Sequence, residues 1–175
     1  MNKSEILVID DEAQIRKLLE ITLESNGYKV WQAETGKEGI IMAANHPPDL
    51  ILLDIGLPDK SGHEVLKELR SWYNRAIIML SVINSESDIV SALDHGATDY
   101  LTKPFRTAEL LARIRSAIRR NQAFDNAPTI VCGDLEIDII AHTATKNKVL
   151  LKLTSTEFNL LALLAKNEGR VLTHQ

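Results

Sequence analysis

The sequence predicts an α/β fold: a doubly wound, open parallel sheet of five strands, followed by a smaller second part. Three observations predict it. Three short runs, ILVI (6–9), LILL (50–53) and AIIML (76–80), are apolar throughout, as are strands covered by helices on both faces. Two weaker strand candidates, YKVWQA (28–33) and DYLT (99–102), join them, and helical patterns lie between, so strand and helix alternate five times. Beyond residue 128 the pattern changes to short stretches suited to antiparallel strands.

Each element has its own signal. After the first strand, Ile15, Leu18, Leu19 and Leu23 share a helix face, and Gly27 follows as a C-terminal cap. Thr35-x-x-Glu38 and Ser61-x-x-Glu64 have capping-box spacing and open the second and third helices. Ser85 caps a fourth, which ends near Gly96. The fifth runs from about 107 to 120 with Leu110, Leu111, Ile114 and Ile118 inward. Residues 121–128, NQAFDNAP, lack an apolar period, end in Pro and read as a linker. The domains are therefore expected at 1–120 and 129–175. In the second, Lys146-Asn147-Lys148 suits a turn between strands. Thr154-x-x-Glu157 opens a helix with Phe158, Leu161, Leu164 and Ala165 on one side, ended by Gly169.

Composition narrows the function. Of 175 residues, 45% are apolar and 25% charged, and the net charge is −4, so non-specific binding to nucleic acid or anionic membrane is disfavoured. The single Cys132 excludes an intramolecular disulfide. The N-terminus reaches charge too early for a signal peptide. No apolar run approaches the roughly 20 residues of a membrane span. A cytoplasmic, membrane-free protein is expected. The five histidines, at 46, 63, 95, 142 and 174, share no metal-ligand spacing.

In open α/β sheets the functional crevice lies beyond the carboxyl ends of the strands. Strand 1 ends in Asp10 and Asp11, strand 3 in Asp54, strand 4 in Ser81 and strand 5 in Thr102-Lys103-Pro104. Two carboxylates about 4 Å apart repel by roughly 4 kcal/mol at an effective dielectric near 20. A hard divalent cation with oxygen ligands resolves that conflict, and Mg²⁺ fits because it keeps waters and recruits phosphoryl oxygens. Asp11 is expected to ligate it directly, Asp10 through water, and the Gly56 carbonyl to add a ligand. Asp54, deepest in the edge, is then a phosphoryl acceptor. Lys103 and the Ser81 hydroxyl would neutralise and bind the transferred oxygens. Alone, Asp10-Asp11 suits helix capping equally well; the convergence of the strand ends is what points to chemistry.

IDDE, LLDIGLP, the Leu-Ser pair at 80–81 and LTKPF together resemble the receiver domain of bacterial two-component response regulators, over about 1–120. LKLTSTEFNLLALLAKNEGRVLT resembles the start of the winged-helix effector domain of the OmpR/PhoB subfamily. GLPDKSGHEVLKELRSW and SESDIVSALDHGATDYLTKPF resemble its potassium-responsive members. The resemblance implies a flavodoxin-like strand order 2-1-3-4-5 and a truncated winged-helix domain. It implies phosphorylation of Asp54 by a sensor histidine kinase, of the KdpD type for the potassium-responsive members. It also implies a cis Lys103–Pro104 peptide, a switch in which Ser81 swings toward the phosphoryl group while Tyr100 rotates inward, and a homodimer through helix 4, strand 5 and helix 5. The output is transcriptional, with promoter DNA bound only by the full-length parent, because residues 121–175 carry net −1 and lack the recognition helix.

Some positions depart from the family pattern. Ile89 stands where Lys or Arg is usual, Thr98-Asp99 where Asp-Asp is usual, and Val82 where Ala is usual. The dimer face then retains Asp99, Glu109, Arg113, Arg115 and Arg120 as ion-pair partners, with apolar contact at Ile89. Gly56 and Ile83 offer no polar side-chain group to orient water, so a slowly hydrolysing aspartyl phosphate is expected. Such a protein is a phosphoacceptor switch, not an enzyme. The competing readings are a Mg²⁺-dependent aspartate-nucleophile phosphatase and a phosphate-independent interaction module.

Overall fold

A computed structural model describes residues 3–125, 129–139 and 141–168. Gly169, His174 and residues 126–128 of the expected linker lie outside the described residues. The chain divides into two compact units, residues 1–121 and 122–175.

In the first unit every expected strand forms: β1 (Glu5–Ile9), β2 (Lys29–Ala33), β3 (Leu50–Asp54), β4 (Ala76–Ser81) and β5 (Asp99–Thr102). They make one parallel sheet in the order β2-β1-β3-β4-β5. The helices between and after them are α1 (Ala13–Ser25), α2 (Gly36–Asn45), α3 (Gly62–Arg70), α4 (Glu86–Asp94) and α5 (Thr107–Asp125). The side-chain period of two sorts the strand residues into two cores. Ile6, Val8, Leu50, Leu52, Ile78 and Leu80 pack with Leu19 and Leu23 of α1 and Leu110, Ile114 and Ile118 of α5. Leu7, Ile9, Ile51, Leu53, Ile77 and Met79 pack with Ala43 of α2, Val65, Leu66 and Leu69 of α3 and Ala92 of α4. Burial on both faces explains why the central strands are apolar without alternation.

The caps follow the spacing with one difference. Ser61 and Glu64 form a reciprocal capping box, and Ser85 accepts from the Asp88 N–H. Thr35 accepts from the Glu38 N–H, but Glu38 returns its carboxylate to the Glu34 N–H, one residue early. Gly27 and Gly96 follow their helices at φ +88° and +99°, as αL caps require. Leu18 was expected inward and is exposed. The buried stripe of α1 is Arg16, Leu19 and Leu23, from whose centre Leu18 is rotated by more than a third of a turn. Helix α5 runs to Asp125 rather than about 120, because no Pro or Gly precedes Pro128 to stop it.

The second unit holds β6 (Thr129–Cys132), β7 (Leu135–Asp138), β8 (Thr143–Lys146) and β9 (Val149–Leu150), antiparallel in that order, then α6 (Ser155–Lys166). The β8–β9 turn places Asn147 and Lys148 at φ +50° and +65°, the backbone of a type I′ hairpin. Thr154 and Glu157 form the expected capping box. The small core is Ile137, Ala144, Phe158 and Ala162, with Leu161 and Ala165 packed against it. Leu164 was expected on that side and is instead exposed with Leu160 and Leu163; the stripe follows positions 158, 161, 162 and 165.

One glycine sets how closely α3 approaches the functional edge. A Cβ at Gly62 would lie 2.3 Å from the Asp54 carbonyl oxygen and 2.6 Å from the Ile55 Cα. The Gly62 N–H donates to the Ile55 carbonyl at 2.9 Å. Gly62→Ala must displace backbone, so urea denaturation is expected to show a loss of about 1–3 kcal/mol. Unchanged stability would show that α3 can retreat freely.

Candidate functional site

Parallel strands deliver their carboxyl ends to one edge, and a cleft of ≈ 290 Å³ lies there. It is lined by Asp11 and Glu12 after β1, Asp54, Ile55 and Gly56 at the end of β3, Ser81, Val82 and Ile83 at the end of β4, and Lys103 after β5. Asp10 is fully buried beside it. The Lys103 ammonium donates to Asp10 Oδ2 at 2.7 Å and pairs with Asp54 Oδ1 at 2.8 Å. Glu12 Oε1 lies further off at 3.5 Å. The remaining carboxylate oxygens are held by backbone: Asp10 Oδ1 accepts from the Glu12 N–H and Asp54 Oδ2 from the Gly56 N–H, both at 2.9 Å. Lys103–Pro104 is cis.

The electrostatics follow from burial. Burial pushes the Asp54 carboxyl above its ordinary range, and the charge of Asp10 adds to that; Lys103 and the Gly56 N–H oppose it without cancelling it. Burial pulls the Lys103 ammonium down, but its bonds to Asp10 and Asp54 outweigh this and raise it, so it stays charged.

Asp10, Asp11 and Asp54 each offer an oxygen, and these oxygens lie within 4.8 Å of one another. An all-carboxylate, hard-oxygen set with one exposed member is the chemistry that a divalent cation such as Mg²⁺ takes. The donors present fit the expected ion.

The other expected residues lie at the cleft wall or beyond it. Ser81 Oγ accepts from the Ile83 N–H at 3.0 Å. Tyr100 is not at the cleft; it is buried, already inward, with its hydroxyl donating to the Ile83 carbonyl at 2.7 Å. Val82 lines the cleft but is 76% exposed, with its side chain largely in solvent. On the outer face Arg113 pairs within the chain, with Asp99 at 2.7 Å and Glu109 at 2.9 Å. Arg115 and Arg120 are exposed. Ile89 is half-buried against the core, and Val90 and Leu93 are the exposed apolar residues of α4.

The sequence reading missed two residues. Thr98, read only as a missing acid, turns its hydroxyl inward to accept from the Ile77 N–H at 3.0 Å; nothing in the sequence marks this. Arg16 donates to the Asp10 carbonyl at 2.7 Å and to Glu34 at 2.5 Å. Its signal was available: a cation three and seven residues before Leu19 and Leu23, on the apolar stripe.

Comparison with known proteins decides the family. The response regulator receiver domain matches residues 6–115. The chain belongs to the response regulator family. It is 43% identical to the KDP operon transcriptional regulatory protein KdpE of Escherichia coli, across 97% of this chain and 76% of that protein. It is 45% identical to the transcriptional regulatory protein KdpE of Mycobacterium tuberculosis, across 95% and 75%. Among solved structures, the BeF₃-activated N-terminal receiver domain of Klebsiella pneumoniae RstA superposes with TM-score 0.64 at 31% identity, covering 66% of this chain and 98% of that one. A CheY-like receiver domain protein from Methanospirillum hungatei gives 0.66 at 31%, covering 69% and 98%. The receiver fold and two-component regulation expected from the sequence are thus those of its family. Among the described residues, no helix is long and apolar enough to cross a membrane.

The ion pairs of Lys103 define a test. Lys103→Met leaves two buried carboxylates without their cation and is expected to cost about 3–5 kcal/mol at neutral pH. Burial raises the folded-state pKa of Asp54, so that carboxyl binds a proton more readily folded than unfolded and stability falls as pH rises through that range. The deficit should therefore shrink on acidification toward pH 4, which urea denaturation across pH reads directly. A deficit that stays constant with pH would show that packing, not charge, is what Lys103 supplies.

Proposed function

We propose that Asp54 is the phosphoacceptor of this response regulator and that Mg²⁺, held by Asp11 and Asp54 with Asp10 through water and the Gly56 carbonyl, is its cofactor. The observation that carries this is the Asp54 carboxylate at the cleft, bound on one oxygen by an ammonium and on the other by a backbone N–H. Mg²⁺ supplies charge neutralisation at the phosphoryl oxygens. The Asp54 carboxylate attacks phosphorus, the bond from phosphorus to the donor breaks, and its electron pair leaves with the donor. Lys103 follows the new negative charge with its ammonium. The Ser81 hydroxyl leaves the Ile83 N–H to donate to a phosphoryl oxygen. Ile83 also accepts from Tyr100 through its carbonyl, so Ser81 and Tyr100 hold the two peptides on either side of one residue, through which one position biases the other. Phosphorylation then shifts a pre-existing equilibrium.

The donor is a sensor histidine kinase, of the KdpD type if the likeness to the KdpE proteins extends to partners. The output is transcriptional, as those relatives' names state, with promoter DNA bound by a winged-helix domain of which β6–β9 and α6 would form the first part. The phosphorylated form pairs as a homodimer through the face of α4, β5 and α5. Arg113, Asp99 and Glu109 are available to exchange internal partners for those of a second copy, Arg115 and Arg120 are exposed, and Val90 and Leu93 extend the apolar contact expected at Ile89. The protein works in the cytoplasm. The phosphatase reading is disfavoured because Gly56 stands two residues after Asp54, where an acid is needed.

Mass spectrometry after incubation with acetyl phosphate and Mg²⁺ tests this. The native chain gains one phosphoryl group, while Asp54→Asn or chelation of the metal abolishes the gain. A phosphorylated Asp54→Asn chain would place the acceptor elsewhere. With no side chain at Gly56 and only an apolar one at Ile83 to orient water, the phosphoryl group should also persist far beyond seconds at neutral pH. Decay within seconds, followed by the same mass measurement, would contradict that.

A further inference from the structure

We infer that Arg16 is a positioning residue that holds the loop between β1 and α1 in the geometry needed to bind a divalent cation. The inference rests on the reading of Asp10, Asp11 and Asp54 as a Mg²⁺ site.

Arg16 is only 7% exposed, and a charged side chain is rarely buried without a specific partner. Its pair with Glu34 does not explain that burial. The Glu34 side chain is 70% exposed, so solvent screens the pair to little net stabilisation. The bond from the guanidinium to the buried Asp10 carbonyl, at 2.7 Å, does explain it. A charged donor on a buried acceptor is among the stronger hydrogen bonds in a protein.

The place of that carbonyl gives the bond its consequence. At Asp10 the chain stops being strand. Its N–H donates to the Ala33 carbonyl at the end of β2, its carbonyl accepts from α1, and its carboxylate accepts from the Glu12 N–H and Lys103. Every polar group of Asp10 is therefore anchored, from separate elements. Fixing the carbonyl fixes the plane of the peptide linking Asp10 to Asp11. It thereby fixes where the exposed Asp11 carboxylate starts from. Glu34 holds the far end of the guanidinium, so the fork spans the end of β1 and the loop after β2. Lysine has one point of charge and cannot span both.

Charge alone predicts the opposite effect. Arg16 is a cation near an acidic cluster, and its removal would make the cluster more negative and the ion bind tighter. Positioning predicts weaker binding.

Calorimetric titration of the 175-residue chain with MgCl₂ separates the two, with thermal denaturation in EDTA as a second readout. Arg16→Met keeps the aliphatic packing and loses the fork; its Kd for Mg²⁺ should rise about 10-fold or more, as is usual when a group that orients a ligand is lost. Arg16→Lys should fall between it and the native chain. Phosphorylation of both by acetyl phosphate should slow at low Mg²⁺ and recover when Mg²⁺ saturates. Unchanged or tighter binding in Arg16→Met, with any loss of thermal stability, would make Arg16 structural and overturn the inference. If Arg16→Met fails to fold, Arg16→Lys decides by the same criterion. Asp11→Asn is the separate control: loss of binding there, with none in Arg16→Met, overturns the positioning role alone. Absence of binding in the native chain overturns the cation reading and this role together.

Discussion

The Lys103 ammonium, poised between two buried carboxylates, is the interaction on which the rest of the site depends. Asp10 and Asp54 come from adjacent strands, β1 and β3, and lie close enough to share one cation. Burial and the charge of Asp10 both work against ionisation of Asp54; the ammonium opposes this without cancelling it, so Asp54 stays above the ordinary carboxylate range. Lys103 reaches them from the far side of β4 because the order β1-β3-β4-β5 sets the ends of all four strands on one edge. The apolar cores on the two faces of the sheet hold that order, so packing fixes where the charges meet.

A site balanced in this way is responsive. On the proposed function, a cation entering beside Asp11, or a phosphoryl group on Asp54, would compete with Lys103 for the same oxygens and change which groups remain satisfied. The change has a short path outward. Ser81 and Tyr100 grip opposite ends of Ile83, and Asp99, one residue before Tyr100, holds Arg113 on the outer face. Arg16 acts in the other direction, holding the cluster's backbone still while its side chains exchange partners.

Much of this was legible before any coordinates. Buried parallel strands announce themselves by unbroken apolar runs, and strands β1, β3, β4 and β5 each lead into a polar residue that lines or underlies the cleft. What escaped has a common cause. Leu18 and Leu164 were assigned inward because Leu is apolar, yet a helix can bury only one stripe and the neighbouring positions filled it. Arg16 lies on that stripe, but a charged residue on an apolar face has no meaning until its partner, a backbone carbonyl, is known. Thr98 was read by the acid it lacked, and its inward hydroxyl bond depends on the register of β4 against β5. The end of α5 was drawn where the apolar period stopped, although helices persist until a residue breaks them.

The central claim is that three carboxylates from two strand ends act as one cation site. Paramagnetic broadening by Mn²⁺ of the aspartate side-chain carboxyl signals in the ¹³C spectrum tests it most directly. At substoichiometric Mn²⁺ the signals of Asp10, Asp11 and Asp54 should broaden together, ahead of all other aspartates, and recover when Mg²⁺ is added in excess. Broadening spread across surface aspartates, or confined to Asp11 while Asp10 and Asp54 remain sharp, would contradict the account.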